Sequence, residues 1–111
     1  MTKYSKSTML PRKVKANLQT MGEQIKLARK RRGISLAMMA DRAQCSQLTV
    51  MRAEQGLPTV SIGVYARILF GLGLADDLLL IAQKDEVGNA ITNARIIQKN
   101  QRKEDDYNVF D

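Results

Sequence analysis

The chain has 111 residues, enough for one compact domain with a tail, and 44% of them are hydrophobic. Its aromatics are five (Tyr4, Tyr65, Phe70, Tyr107 and Phe110), so the core must be small and built from Leu, Ile, Val, Met and Ala, which suits helices better than sheets. The net charge is +7, histidine is absent and Cys45 is the single cysteine; together these exclude an internal disulfide, the two common nucleophilic triads and an ordinary zinc site.

The usual general base is missing as well. A lysine base or a carboxylate pair stays open chemically, but there is no P-loop, no GxGxxG and no carboxylate pair at a suggestive spacing. An enzyme is therefore disfavoured, and no cofactor or metal is expected. The most nearly continuous apolar segment, LADDLLLIA from Leu74 to Ala82, is far short of the roughly 20 residues of a membrane span. The N-terminal MTKYSKSTMLPRK has no apolar signal region, so the expectation is a soluble cytoplasmic protein without a membrane partner.

Residues 1–10 carry Ser, Thr and Lys without periodicity and read as a flexible arm. Pro11 opens a short helix, RKVKANLQTM, with Val14, Leu18 and Met21 inward and Gly22 as its interruption. GEQIKLARKRRG follows with Met21, Ile25 and Ala28 at helical spacing, cations in its last turn and Gly33 as its stop. Ser35 caps SLAMMADRA, in which Leu36, Met39, Ala40 and Ala43 fit the i, i+3, i+4, i+7 pattern. Only Gln44 and Cys45 precede the next cap, Ser46, whose helix ends at Gly56 and Pro58. Ser61 caps SIGVYARILFGLG, with the clearest apolar stripe in the chain: Ile62, Tyr65, Ile68, Leu69 and Leu72. A short helix, DDLLLIAQ, comes next; KDEVGNAITNARII has room for one more, and QKNQRKEDDYNVFD reads as a polar tail. The expected organisation is an all-α, five-helix domain over residues 11–83 with a partly disordered extension over 84–111. Met38, Met39 and Met51 read as core or near-core filler.

Charge is uneven. Up to Arg32 there are ten Lys or Arg against one acid, Glu23, whereas beyond Leu74 five basic residues face eight acidic ones. A solvated helix face is the ordinary explanation of such a run. Nine net positive charges within 32 residues favour a polyanion-binding front half, which membrane, RNA or DNA would each satisfy.

Two helices joined by so tight a turn form a helix-turn-helix, whose second helix enters the DNA major groove. In CSQLTVMRAEQG, Val50 and Ala53 are small and face the core, while Gln47, Leu48, Thr49 and Arg52 face outward. Gln47 and Arg52 have the forked donors that read adenine and guanine edges, and Leu48 and Thr49 offer methyls suited to thymine. Ser46 can present its hydroxyl and N–H to a phosphate. Ser35, Gln55, Lys30, Arg31 and Arg32 complete the candidate DNA-binding set. Each has a plain alternative; for Arg52 it is a solvated helix cation, and for Cys45 a small turn residue.

From Met21 to Leu74 the chain resembles the Xre/Cro-type, lambda-repressor-like helix-turn-helix of phage repressors and bacterial regulators. The pieces that carry the resemblance are MGEQIKLARKRRGIS, MADRA, S-x-x-T-V-x-R-x-E-x-G from Ser46 to Gly56, and VSIGVYARILFGLGL. It implies that the helix beginning at Ser46 is the recognition helix and that Glu54 pairs with Arg29. Two positions depart from the pattern. Gln44 stands where the turn usually has glycine, which implies a left-handed residue, and Leu36 stands where repressors often have a phosphate-contacting amide. The flanks, PRKVKANLQTMGEQIKLARKRRG and DEVGNAITNARI, are similar to HipB-type antitoxins. That likeness implies a homodimer that represses its own operon on double-stranded operator DNA and binds a HipA-like kinase toxin.

Leu78, Leu79, Leu80 and Ile81 are the expected dimer seam, since they are an apolar surplus after the core helices. A different class of function stands beside the regulator: a dimeric interaction scaffold with a helix-turn-helix fold that has lost DNA binding. Exposure of Leu48, Met51 and Met38 would favour that alternative.

Overall fold

The structure is a computed structural model that describes residues 9–106. The described residues are all helical and contain no strand: α1 (Arg12–Arg31), α2 (Leu36–Ala43), α3 (Gln47–Glu54), α4 (Ile62–Gly71), a 3-10 helix (Ala75–Leu80) and α5 (Glu86–Asp106). Most of the expected N-terminal arm, and both tail aromatics Tyr107 and Phe110, lie outside the described residues. The chain forms two compact units divided between Leu78 and Leu79, a few residues before the boundary read from the sequence at 83.

In the first unit α2 packs on α3 and α4, and α1 packs on α3. Their shared core is Ile25, Ala28, Ile34, Met39, Ala40, Ala43, Val50, Ala53, Tyr65, Ile68 and Leu72. Met39, Val50 and Ile68 are its largest fully buried side chains, each contributing about 1.5–3 kcal/mol by leaving water. Serine caps start three of the four helices: Ser35, Ser46 and Ser61 accept from the N–H groups of Met38, Thr49 and Val64 at 3.1, 3.1 and 3.2 Å. Arg42 donates to the Gly71 carbonyl at 3.1 Å, and Tyr65 pins the α3–α4 loop by donating to the Leu57 carbonyl at 2.8 Å.

Several expectations need correction. Gly22 does not interrupt a helix: α1 is continuous for 20 residues, and Gly22 is buried within it. A Cβ at Gly22 would lie 2.6 Å from both the Glu54 carbonyl oxygen and the Gly56 nitrogen. The converse holds at Gly56, where φ is +73° and a Cβ would collide with the Leu18 carbonyl. The two glycines thus let α1 lie backbone-to-backbone against the end of α3. Val14, expected inward, is exposed because it lies a turn before that crossing; Leu18 and Met21 are half-buried. Ile62, the first residue of α4, is also exposed, and Val60 and Val64 pack against the core there instead.

The segment after α4 is 3-10 rather than α-helical and buries none of its residues. In the second unit α5 runs 21 residues to Asp106, through most of the stretch that reads as a polar tail. Gln, Lys, Arg and Glu are good helix formers, and no proline or glycine follows Gly88 to stop it. No helix among the described residues is long and apolar enough to cross a membrane.

Candidate nucleic-acid interface

α2 ends on Gln44, held left-handed at φ 55° and ψ 48°, a conformation that disfavours a Cβ by roughly 1–2 kcal/mol. Local hydrogen bonds offset this. The Gln44 side-chain amide donates to the Asp41 carbonyl at 2.9 Å, and the Cys45 N–H donates to the Ala40 carbonyl at 3.0 Å. Arg67 reaches from α4 to the Ala43 carbonyl at 2.8 Å, so α4 fixes the turn from outside. Cys45 is partly buried against the core.

α3 leaves this turn with Val50 and Ala53 fully buried and with Gln47, Leu48, Met51, Arg52 and Gln55 exposed along and just beyond it. Its single acid, Glu54, faces inward. Arg29 donates Nε–H to Glu54 Oε2 at 2.6 Å and a second N–H to Oε1 at 3.1 Å. Its remaining amino group donates to the Ile34 carbonyl at 2.9 Å, just past the end of α1. The fork thus ties α3 to the α1–α2 connection. Both residues are buried, and the hydrogen bond with Glu54 raises the Arg29 pKa further above its usual value. With Glu54 turned in and paired, the outward surface of α3 carries no negative charge.

Residues 20–80, more than half of the chain, match a family model described as a helix-turn-helix domain. The chain belongs to the helix-turn-helix domain family. No curated protein matches it significantly.

The helix-turn-helix brings most of the expected DNA-binding residues onto one element. Ser46, Gln47, Leu48, Thr49 and Arg52 all lie on α3 or its cap, with Gln55 immediately after it. The Ser46 and Thr49 hydroxyls are 2.9 Å apart and bonded to each other. One of the pair keeps an O–H to give outward, which is enough for a phosphate oxygen. Arg52 has no side-chain partner among the described residues. Ser35 sits at the N-terminus of α2.

Lys30, Arg31 and Arg32 stand apart, at the end of α1. Lys30 and Arg31 are exposed, while Arg32 turns back to donate to the Ala28 carbonyl at 2.9 Å. None of the three lines either hollow beside α3. One hollow, of about 160 Å³, lies over the Arg29–Glu54 pair and is walled by Lys26, Leu36, Met51 and Gln55. The other is lined by Thr49, Arg52, Thr59, Val60, Ser61 and Val64.

Sequence reasoning therefore missed Lys26, Thr59 and Ser61 as neighbours of the α3 surface. For Lys26 a signal existed: it precedes Arg29 by three residues and so shares its helix face. Met38 and Met51, expected as core filler, are exposed, and only Met39 is buried. Of the residues expected to form the dimer seam, Leu78 is half-buried, and Leu79, Leu80 and Ile81 are exposed.

Proposed function

We propose that the protein is a sequence-specific, DNA-binding transcriptional regulator of the Xre/Cro type, acting in the cytoplasm as a homodimer on operator DNA. The observation that carries this reading is the outward surface of α3, with forked donors at Gln47 and Arg52 and its only acid buried against Arg29. In a major groove such a surface meets base edges without repelling phosphates. Gln47 and Arg52 read bases; Lys26, Lys30, Arg31 and the Ser46 cap hold phosphates. One helix-turn-helix reads few base pairs, so a pair acts on half-sites about 34 Å apart. The exposed Leu79, Leu80 and Ile81, with Leu78, supply the seam. The likeness of the flanks to HipB-type antitoxins extends the proposal to an antitoxin that represses its own operon and binds a HipA-like kinase toxin.

The scaffold reading has its own support in the exposure of Met38, Leu48 and Met51. Salt separates the two. The protein is first used to select duplexes from a random pool, and affinity is then titrated from 50 to 200 mM salt. A regulator recovers a common site, and its log affinity falls linearly with log salt, with a slope of about −0.9 per phosphate neutralised. A scaffold recovers no common site.

A further inference from the structure

Residues 48, 51 and 52 of α3 and its C-cap residue 55 lie on the exposed side, opposite the buried Val50 and Ala53, with 48 three or four residues from 51 and 52, and 55 four or three beyond them. Two of these four, Leu48 and Met51, are apolar and neighbour each other at i, i+3. Leu48 is 51% exposed and Met51 is 44% exposed, and Met51 shares its hollow with the partly buried Leu36. Gln47 and Thr49 only flank the strip. Cations border it on both sides, Lys26 by the first hollow and Arg52 by the second, and the exposed part of α3 bears no acid. An apolar strip in this setting is complementary to a polyanion that itself displays apolar groups.

The major groove displays one apolar group, the C5-methyl of a pyrimidine. Leucine and methionine seated over an amino group or a carbonyl of a base edge would strip it of water and return no hydrogen bond, which is unfavourable. Seated over a methyl, they bury apolar surface on both partners. The same side chains therefore reward a methyl and penalise its absence.

We propose that Leu48 and Met51 select duplexes by C5-methyl groups, with Leu48 acting nearest the base edges because the first residues of a recognition helix reach deepest. This rests on the DNA-binding reading above and adds its chemical criterion: hydrophobic readout by Leu48 and Met51 beside hydrogen-bond readout by Gln47 and Arg52. Thymine and 5-methylcytosine carry the same methyl, so either is a source.

The test uses the full chain and the duplex it selects. Each thymine is replaced singly by deoxyuridine, which deletes the methyl and keeps every hydrogen bond, and each cytosine singly by 5-methylcytosine. Binding is read by fluorescence anisotropy for the parent protein, Leu48→Ala and Met51→Ala. One or two deoxyuridine positions per half-site should weaken parent binding by about fourfold each, the value of burying one methyl-sized group. Leu48→Ala should abolish that response at one position, and Met51→Ala at its neighbour. A gain on 5-methylcytosine, with no loss on deoxyuridine, would support the proposal with methylated cytosine as the source. Both residues are exposed, so the variants should melt with the parent, and a matched melting curve confirms that the fold is intact. The proposal is overturned if no single methyl changes parent binding by twofold, or if Leu48→Ala and Met51→Ala keep the full response. If no duplex is selected at all, the DNA-binding reading fails first, and this inference fails with it.

Discussion

Two helical glycines respond in opposite directions to the same substitution. By propensity alone, Gly→Ala inside a helix gains up to about 1 kcal/mol. At Gly63, in the first turn of α4, the nearest atom to an added Cβ is the Ser61 hydroxyl at 3.8 Å, an ordinary contact. Gly63→Ala should therefore collect most of the propensity gain and raise the melting temperature by about 2–8 °C. At Gly22 the added Cβ would lie 2.6 Å from the Glu54 carbonyl oxygen and the Gly56 nitrogen, and 2.8 Å from the Glu54 carbonyl carbon. All three are backbone atoms, so no rotamer relieves the overlap, and α1 must move off the end of α3. Overpacking of this kind costs about 1–3 kcal/mol, and rigid backbone on both sides places Gly22→Ala at the upper end. After the propensity gain about 2 kcal/mol of destabilisation remains, a fall of about 8–16 °C for a domain of this size. Thermal unfolding followed by circular dichroism measures both variants. A Gly22→Ala protein that melts at or above the parent would refute the backbone-to-backbone crossing of α1 and α3.

Glu54→Ala strands the Arg29 guanidinium in a buried site and should cost about 3–5 kcal/mol, measured by urea unfolding; an unchanged midpoint would show that the bridge adds nothing. Tyr65→Phe leaves the Leu57 carbonyl without its donor and should cost about 1 kcal/mol in the same assay. Burial raises the Tyr65 pKa above its ordinary value of 10.0, so the unfolded chain ionises first. Stability from this group is therefore complete below about pH 10 and declines as pH rises beyond it. The decline should be absent in Tyr65→Phe, and an identical alkaline profile for both proteins would assign it elsewhere.

The α2–α3 unit was readable in the sequence because its determinants are local. Ser35 and Ser46 cap the helices that follow them, and small Val50 and Ala53 mark the buried side of α3. Gly22 is ambiguous in the sequence because a mid-helix glycine has the same signature whether the helix stops there or a second backbone approaches. Periodicity was silent over the later turns of α5, where QKNQRKEDD has helix-forming residues but no apolar stripe. Hydrophobicity alone points Met38 and Met51 inward, whereas the helical period aligns Met51 with the exposed Leu48 and Gln55. The place of Lys26 beside α3 follows from its i, i+3 relation to Arg29 once Arg29 is paired with Glu54, a bridge that joins segments 25 residues apart.

The central claim is that α3 reads base sequence, and Arg52 tests it most directly because it is exposed and unpartnered among the described residues. Affinity for the selected duplex and for a scrambled duplex of equal length is measured at several salt concentrations for the parent, Arg52→Ala and Lys26→Gln. Arg52→Ala should lose about 1–3 kcal/mol on the selected duplex and much less on the scrambled one, so specificity falls. Lys26→Gln should weaken both duplexes alike and lower the salt slope by about one. Equal loss on both duplexes for Arg52→Ala would contradict the account, because the helix from Gln47 to Glu54 would then hold DNA without reading it.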